Sequence, residues 1–324
     1  MQSEEKRMSI KDSKVVVVGV GNVGATVGFS IVNQGLCDRL VLIDVNRAKA
    51  EGEALDMQDS VSFMNRNVKV SAGTYDDCAD ADVAVITASA PMDPNANNRL
   101  DMLSTSKKIM KSIVDDIMKS GFDGILLIVS NPVDIMTYYA WKLSGLPRER
   151  VIGSGTTLDT ARLRRRIGGM YDLSSKSVDA YVMGEHGDSE MVSWNSATVG
   201  GKNIKDVMTD NPNRTKDETL DDLRKQTIQA GWDIFSRKHN TCYGIAASVT
   251  AILKSILFNE NQIYPVCVCL NGQYGLNDVF LSVPTILDRT GAKEIVEIKL
   301  ADDEKENLGL SAEVVKNFYP DLEV

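Results

Sequence analysis

The chain has 324 residues, about twice the length of a common single domain, and its 43% hydrophobic and 25% charged residues exclude a disordered or fibrous protein. Its 45 acidic and 36 basic side chains leave a formal net charge of −9, which argues against nucleic acid or an anionic membrane surface as a partner. No run approaches the roughly 18 apolar residues that span a bilayer, and residues 1–10 contain no apolar core of a secretory signal, so neither a membrane nor a secreted protein is predicted.

The first half of the chain alternates short β-branched runs with helical stretches. The apolar runs lie at residues 15–18, 40–43, 83–86 and 125–129. Each run is continuous rather than alternating, which is typical of strands buried on both faces of a parallel sheet. Helical composition lies between them, at residues 25–34, 47–63 and 100–119. Gly35 and Gly121 are predicted to cap two of these helices, and the alternation predicts an α/β doubly wound parallel sheet.

The pattern changes after about residue 153. The predicted elements are a helix at residues 157–167, a strand at 178–183, mostly helix over 217–259, strands within 263–300 and a last helix at 302–318. This mixture predicts a second domain of the α+β type, with the boundary near residue 152.

The chain has five cysteines and no Cys-x-x-Cys pair. Cys267 and Cys269 alternate along a predicted strand, so they share a face and are interpreted as packing residues rather than a disulfide. This cysteine usage favours a reducing, cytoplasmic location.

A Gly-x-Gly-x-x-Gly motif follows the first strand directly and opens a helix. Its residues, and the predicted cofactor contacts, are Gly19, Gly21, Asn22, Val23 and Gly24. In such a motif the first glycine permits a tight turn, the second lets the backbone approach a pyrophosphate, and the third lets helix and strand pack closely. The helix N-terminus attracts the phosphates. A purely structural glycine turn is the alternative.

Asp44 supports the cofactor interpretation. It ends the second predicted strand, 20 residues after Gly24. A carboxylate there accepts hydrogen bonds from the two ribose hydroxyls and repels a 2′-phosphate. The sequence therefore predicts an NAD-binding Rossmann domain over residues 1–152, with NAD favoured over NADP.

Two histidines are available for acid–base chemistry near neutral pH. His186 lies in a Gly-Glu-His-Gly-Asp segment whose small neighbours leave room for a substrate, and a structural histidine is the alternative. His239 lies in a polar stretch that is interpreted as a solvated loop or helix end.

Asp159 and Arg162 are three residues apart on a predicted helix and project from one face. A buried aspartate can hold an imidazole in one tautomer and stabilise its cation, and an arginine can clamp a carboxylate through two hydrogen bonds. An ordinary surface salt bridge between the two residues is the alternative.

Further motifs follow the glycine loop in a defined order. They lie at residues 130–134 (Ser-Asn-Pro-Val-Asp), 152–162, 184–188 and 272–278. With these motifs the chain resembles the L-lactate/malate dehydrogenase family over almost its whole length, most closely the bacterial L-lactate and L-2-hydroxyisocaproate dehydrogenases. The resemblance implies an NAD-dependent oxidoreductase of fermentation that interconverts small 2-oxo and 2-hydroxy acids without a metal, as a homodimer or homotetramer. It also implies that residues 153–324 form the catalytic and substrate domain.

Three substrates and one other class of protein are weighed within this resemblance. Pyruvate and L-lactate come first, L-2-hydroxyisocaproate is the nearest alternative, and malate is third. The other class is a catalytically silent protein that senses NAD(H). Such a sensor would need none of the four residues to which the resemblance gives catalytic roles.

The resemblance assigns those four roles as follows. His186 would donate a proton to the carbonyl of the 2-oxo acid, and Asp159 would orient the imidazole. Arg162 would hold the substrate carboxylate. Arg99, in a loop that closes over the substrate in the family, would polarise the carbonyl as negative charge develops on its oxygen. Taken alone, Arg99 is equally well a mobile surface residue of a polar loop.

The resemblance places three more residues around the substrate. Asn131 would contact the nicotinamide ribose and help to line the substrate site. Thr241 would bound the substrate pocket. Ile245 would pack on the nicotinamide ring, with a plain core role as the alternative.

The loop after the third run departs from the family. Lactate enzymes usually place Gln, and malate enzymes Arg, where this chain has Met92, and the loop is one residue longer. Methionine cannot pair the second carboxylate of oxaloacetate, so malate is disfavoured, whereas a thioether suits an apolar substrate side chain. Because the extra residue could shift the loop, Asp93 and Asn95 stay open as the residue that faces the substrate.

A second departure concerns regulation. Many bacterial lactate dehydrogenases bind fructose 1,6-bisphosphate between subunits with an Arg and a His. Arg164 matches the first of these positions, but Asp179 occupies the second. A carboxylate there repels phosphate, so a weak response or none is predicted.

Overall fold

The computed structural model of the protein describes residues 11–89, 99–215 and 217–324, with side chains from residue 103 onward in the second range. Within them the strands are β1 (Lys14–Val18), β2 (Arg39–Ile43), β3 (Lys69–Ala72), β4 (Val83–Ile86), β5 (Ile125–Ile128), β6 (Val151–Gly153), β7 (Val178–Asp179), β8 (Val182–Met183), β9 (Met191–Val192), β10 (Thr198–Val199), β11 (Lys202–Asn203), β12 (Gln262–Asn271), β13 (Asn277–Asp288) and β14 (Gly291–Ile295).

Helices alternate with the strands in the first half and dominate part of the second. They are α1 (Asn22–Gln34), α2 (Arg47–Val61), α3 (Arg99–Lys119), α4 (Val133–Ser144), α5 (Thr157–Tyr171), α6 (Ile204–Asp210), α7 (Pro212–Thr215), α8 (Leu220–Lys238), α9 (Tyr243–Phe258) and α10 (Asp302–Lys316). None of the helices in the described ranges is long and apolar enough to cross a membrane.

The largest sheet has the strand order β14-β13-β12-β6-β5-β4-β1-β2-β3. The six strands from β3 to β6 are parallel to one another, and the hairpin strands at the other end are antiparallel. All residues of β1, β4 and β5 are buried, because helices cover both faces of the sheet. The predicted doubly wound parallel sheet is confirmed.

The predicted strand at residues 178–183 is wrong as a single element. It divides into β7, which pairs with β10, and β8, which pairs with β9 in a different sheet. The sequence analysis also did not predict β3 and β6. These strands are only four and three residues long, too short for a clear apolar run.

The packing of the cysteines agrees with the sequence analysis. All five are free, and Cys267 is fully buried within β12 while Cys269 is half-buried. Gly35, predicted as a cap, ends α1 in the left-handed conformation with φ of 62°.

The architecture places the functional candidates at strand ends. The glycine loop follows β1, Asp44 follows β2 and Asn131 follows β5, all at the carboxyl edge of the parallel sheet. This edge is where open α/β sheets bind their ligands. Helix α5 begins just after β6, and His186 lies just after β8.

Candidate active site

The glycine loop is shaped by close contacts of its backbone. Gly19 has a φ of +92°, and a Cβ there would lie 2.6 Å from the Cα of Ala88. A Cβ on Gly24 would lie 1.8 Å from the carbonyl oxygen of Gly19. A Cβ on Gly21, by contrast, would meet no protein atom within 4 Å. The first and third glycines are therefore required by the fold, whereas Gly21 leaves open space above the loop.

The start of α1 presents backbone donors to that space. Gly21 is its N-cap residue and provides no side-chain acceptor, so the first N–H groups of the helix are available to an anion. Gly21 and Asn22 are exposed, Val23 is half-buried and Gly24 is buried. This arrangement suits the pyrophosphate of a dinucleotide.

Asp44 is tied to the glycine loop. Its Oδ2 accepts a hydrogen bond of 2.7 Å from the N–H of Val20, and its Oδ1 accepts one of 2.8 Å from the N–H of Asn46. Both carboxylate oxygens are thus oriented by backbone donors, beside the open space over Gly21. The loop, the helix N-terminus and this carboxylate together fit a dinucleotide with free ribose hydroxyls.

A second set of residues forms a buried charge cluster of Asp159, Arg162 and His186. Asp159, on the first turn of α5, accepts a bond of 2.8 Å from Nη1 of Arg162 at its Oδ1. Its Oδ2 lies 2.6 Å from Nδ1 of His186. The exposed fractions of the three side chains are 2%, 11% and 29%. The pair of Asp159 and Arg162 is therefore not a surface salt bridge, and His186 is not an isolated structural histidine.

The cluster shifts the protonation equilibria of its members. Burial alone would raise the pKa of Asp159, but the charges and hydrogen bonds of His186 and Arg162 outweigh it and hold this pKa below its usual range. The negative charge of Asp159 raises the pKa of His186 to about 9, against the opposing effect of burial. At neutral pH the imidazole is consequently protonated and can act as an acid.

The loop that carries His186 is anchored through its backbone. The N–H of His186 donates to Oδ2 of Asp134 at 2.7 Å, and the N–H of Glu185 donates to Oγ of Ser311 on α10 at 2.8 Å. Burial raises the pKa of Asp134 to about 6, although the bond from His186 favours its ionised form. The sequence analysis missed Asp134 and Ser311. A signal for Asp134 existed, because it ends the Ser-Asn-Pro-Val-Asp segment at the start of α4.

Glu190 is a further residue of this region that the sequence analysis missed. Its side chain is 3% exposed, and its Oε1 has no hydrogen-bond partner. One titratable atom each of Glu190, Asp159 and His186 lie within 4.8 Å of one another. A buried carboxyl group thus lies beside the cluster.

The remaining predicted residues surround these two centres. Asn131 is exposed, and its carbonyl accepts a long bond of 3.4 Å from Ser106. Thr241, just before α9, is half-buried, and Ile245 packs partly against the core. His239 ends α8, as predicted.

Part of the predicted substrate site belongs to the loop before α3. Met92, Asp93 and Asn95 are outside the described residues. Arg99 is the first residue of α3, but its side chain is likewise outside them. Their roles stay predictions.

The structure also describes the predicted effector position. Nη2 of Arg164 lies 3.3 Å from Oδ1 of Asp179, and its Nε donates to the carbonyl of Ala180 at 2.9 Å. The arginine that could hold a phosphate is therefore already paired with a carboxylate.

Comparisons with known proteins agree with this geometry. The family model for the lactate/malate dehydrogenase NAD binding domain matches residues 13–153, and the model for the alpha/beta C-terminal domain matches residues 156–320.

L-lactate dehydrogenase 3 of Bacillus thuringiensis subsp. konkukian is 45% identical over 305 residues, which are 94% of this chain and 96% of that protein. L-lactate dehydrogenase 2 of Bacillus cereus is 47% identical over 304 residues, with the same coverage. Among solved structures, the minor L-lactate dehydrogenase of Enterococcus mundtii in its ligands-bound form matches with a TM-score of 0.90 and 44% identity, covering 94% of this chain and 96% of that one. The lactate dehydrogenase MGS-M5, from a Medee basin deep-sea metagenome library, matches with a TM-score of 0.93 and 43% identity, covering 97% and 100%.

Proposed function

The chain belongs to the lactate/malate dehydrogenase family, and we propose that it is an NAD-dependent dehydrogenase that interconverts pyruvate and L-lactate. The observation that carries this function is the buried carboxylate of Asp159, which bridges an imidazolium and a guanidinium. A protein that only senses NAD(H) has no use for such a bridge.

The first half of the chain would hold the cofactor. The N–H groups at the start of α1 would bind the pyrophosphate over Gly21, and the carboxylate of Asp44 would accept hydrogen bonds from the ribose hydroxyls. Asn131 and Ile245 would lie toward the nicotinamide. When bound, the reduced cofactor supplies the hydride.

His186 would supply the proton. Because its Nδ1 is bonded to Asp159, Nε2 is the nitrogen left to donate. Nε2 would give its proton to the carbonyl oxygen of the oxo acid, and the imidazole would become neutral. In the reverse direction the neutral imidazole takes the hydroxyl proton. Asp159 stabilises the charged form throughout by its charge and its short hydrogen bond.

Arg162 would bind the substrate carboxylate. Its guanidinium is nine-tenths buried, so an anion there is held in a poorly screened site. Arg99 would polarise the carbonyl, as the family resemblance implies. Thr241 would bound the pocket on the side of α9. Helix α9 itself packs closely on α5 here, because a Cβ on Gly244 would lie 2.9 Å from Cδ1 of Leu158.

Substrate preference is proposed from Met92. An apolar side chain there leaves a second substrate carboxylate without a cation, so oxaloacetate should be rejected. An apolar substrate side chain meets no such penalty beside a thioether, so both pyruvate and 2-oxoisocaproate should be accepted.

The proposal extends to the quaternary state and the location of the protein. A homodimer or homotetramer follows from the family, and five free cysteines suit a reducing cytoplasm. Sedimentation of the purified protein tests the first of these.

The loss of NADH absorbance with pyruvate, 2-oxoisocaproate and oxaloacetate tests the function. We expect turnover with the first two and little with the third. Replacing Met92 with Arg should raise the ratio of kcat/KM for oxaloacetate over pyruvate. An unchanged ratio would show that Met92 does not face the substrate, and no turnover with any of the three acids would refute the function itself.

A further inference from the structure

Glu190 is a buried carboxyl group for which the proposed reaction has no role. It immediately precedes β9, its side chain is 3% exposed, and its Oε1 has no hydrogen-bond partner. Burying a carboxylate without a partner is costly, so such a group is retained in neutral form or removed.

Charged groups face Glu190 from several elements. Asp159 and Arg162 belong to α5, and His186 lies in the same loop as Glu190. On α8, Arg224 donates to the carbonyl oxygen of Glu190 at 3.4 Å and also pairs with Asp221 at 3.3 Å.

Two other acidic groups near this loop, outside the loop itself, are already engaged by hydrogen bonds, and within the loop Glu185 accepts one of 2.5 Å from Oγ of Ser189. On α10, which packs on β9, the carboxylate of Glu304 accepts from the N–H groups of Asn195 and Ala301 at 2.8 and 2.9 Å. On α4, Asp134 accepts from the N–H of His186. Neither Glu304 nor Asp134 thus offers Glu190 a proton donor.

The formal charges show what an ionised Glu190 would do. One negative charge on Asp159 and positive charges on His186 and Arg162 leave the cluster with one net positive charge. A bound substrate carboxylate neutralises it. If Glu190 were ionised as well, the same substrate would leave a net negative charge in a site that water screens poorly.

The protonation of Glu190 agrees with this argument. Burial and then the negative charge of Asp159 raise the pKa of Glu190 far above its usual range, although His186, Arg162 and Arg224 oppose the shift. The group is therefore neutral near pH 7.

We propose that Glu190 must be uncharged for the substrate carboxylate to bind at Arg162, so that its ionisation makes the loss of oxo-acid affinity at alkaline pH steeper than deprotonation of His186 alone would. The inference rests on the proposed function of Arg162. The ionised form of Glu190 competes with the substrate for the positive charge of the cluster, and the neutral form does not. Glu190 is thus a residue that determines substrate affinity without reacting.

The test compares Glu190→Gln with the wild type in the KM for pyruvate between about pH 6.5 and 10. Near neutral pH the two KM values should agree within about threefold, because both side chains are neutral there. At alkaline pH the wild-type KM should rise by up to about 100-fold per pH unit, since His186 and Glu190 both lose protons, and that of Glu190→Gln by only about tenfold. Equal slopes would overturn the proposal.

Two further variants separate charge from structure. Glu190→Asp keeps a titratable group and should keep the steeper slope. Glu313→Gln makes the same chemical change on the exposed face of α10 and should match the wild type at every pH. A KM raised by one constant factor at all pH values in Glu190→Gln would indicate a merely structural role and would also overturn the proposal.

A measurement on the wild type alone covers the case in which Glu190→Gln does not fold. Oxamate, the unreactive amide analogue of pyruvate, is added to the NADH complex in weakly buffered solution at a pH above both ionisations. Uptake of two protons per site is expected, one on His186 and one on Glu190, and uptake of one would refute the role of Glu190. If the wild type reduced no oxo acid at all, the proposed function would be refuted. Equal KM slopes in an active enzyme would refute only the role of Glu190.

Discussion

The glycine loop and the charge cluster achieve their functions in different ways. The loop is one continuous segment in which the backbone provides the donors, and its glycines are set by contacts with their immediate surroundings. The cluster is made of side chains from α5 and from the loop after β8, 27 residues apart at the bond between Asp159 and His186. The loop is therefore a property of local conformation, and the cluster is a property of tertiary packing.

This difference has a consequence for mutation. Changes in the loop should alter cofactor binding or, at the tightly packed glycines, the stability of the fold, without affecting the protonation of His186. Changes in the cluster should alter proton transfer and its pH dependence, without affecting the cofactor.

The largest effect is expected from His186→Gln. Loss of the proton donor should reduce turnover by about 10²–10⁴-fold, while NADH binding stays near the wild-type value because the glycine loop is intact. NADH fluorescence titration and pyruvate reduction on one preparation check both halves of this statement. Near-normal turnover would remove His186 from the mechanism, and lost NADH binding would show that the regions are not separate.

Asp159→Asn should move the pH profile. The wild-type imidazole stays protonated up to about pH 9 because of the negative charge of Asp159. Without that charge the pKa falls back toward its ordinary value of about 6.5 or lower, so at pH 8 roughly 3% of the imidazole is protonated and reduction slows by roughly 30-fold. Measured at about pH 6, the deficit should be much smaller.

The matched control for this variant is Asp115→Asn. Asp115 pairs with Lys111 on the partly exposed surface of α3, and an ion pair of this kind contributes little. Its profile should follow the wild type. A deficit in Asp159→Asn that is the same at every pH would mean that Asp159 acts only by holding the loop in place.

Two glycine substitutions should separate folding from cofactor binding. In Gly24→Ala the new Cβ meets the carbonyl oxygen of Gly19, so we expect a loss of about 1–3 kcal/mol in the free energy of unfolding.

In Gly21→Ala, by contrast, the new Cβ meets no protein atom within 4 Å. Its Tm should stay unchanged while the Kd for NADH rises roughly tenfold, or ~1.4 kcal/mol. Unaltered NADH affinity in Gly21→Ala would place the cofactor elsewhere.

The smallest effect is expected from fructose 1,6-bisphosphate. Because Asp179 pairs with Arg164, phosphate would have to displace a carboxylate and then face its charge. Half-saturation for pyruvate should change by less than about twofold on adding the effector. Asp179→His should increase the response, and a large response of the wild type would show that the site is mapped incorrectly.

The two regions also differ in how well they could be predicted. The glycine loop, Asp44 and the doubly wound sheet follow from the sequence because local spacing and apolar runs determine them. The spacing that brings Asp159 and Arg162 to one face of a helix can be read from the sequence. The burial of this pair cannot.

Other residues of the site are positioned only by contacts with residues far away in the sequence. Asp134 and His186 are 52 residues apart, and Ser311 and Glu185 are 126 residues apart. No sequence pattern around Glu190 marks it as a buried residue of the site, since an acidic residue near a short strand is common. Its environment depends on how α5 packs on α8 and how α10 packs on β9.

The central claim is that Asp159 keeps a proton on His186 at neutral pH. The chain has two histidines, so a sample labelled with ¹⁵N in histidine gives two imidazoles, and His186→Gln assigns them. The account predicts that the His186 resonances titrate with a pKa of about 9, and that this value falls in Asp159→Asn. Titration of His186 at its ordinary value near 6.5 in the wild type would contradict the account.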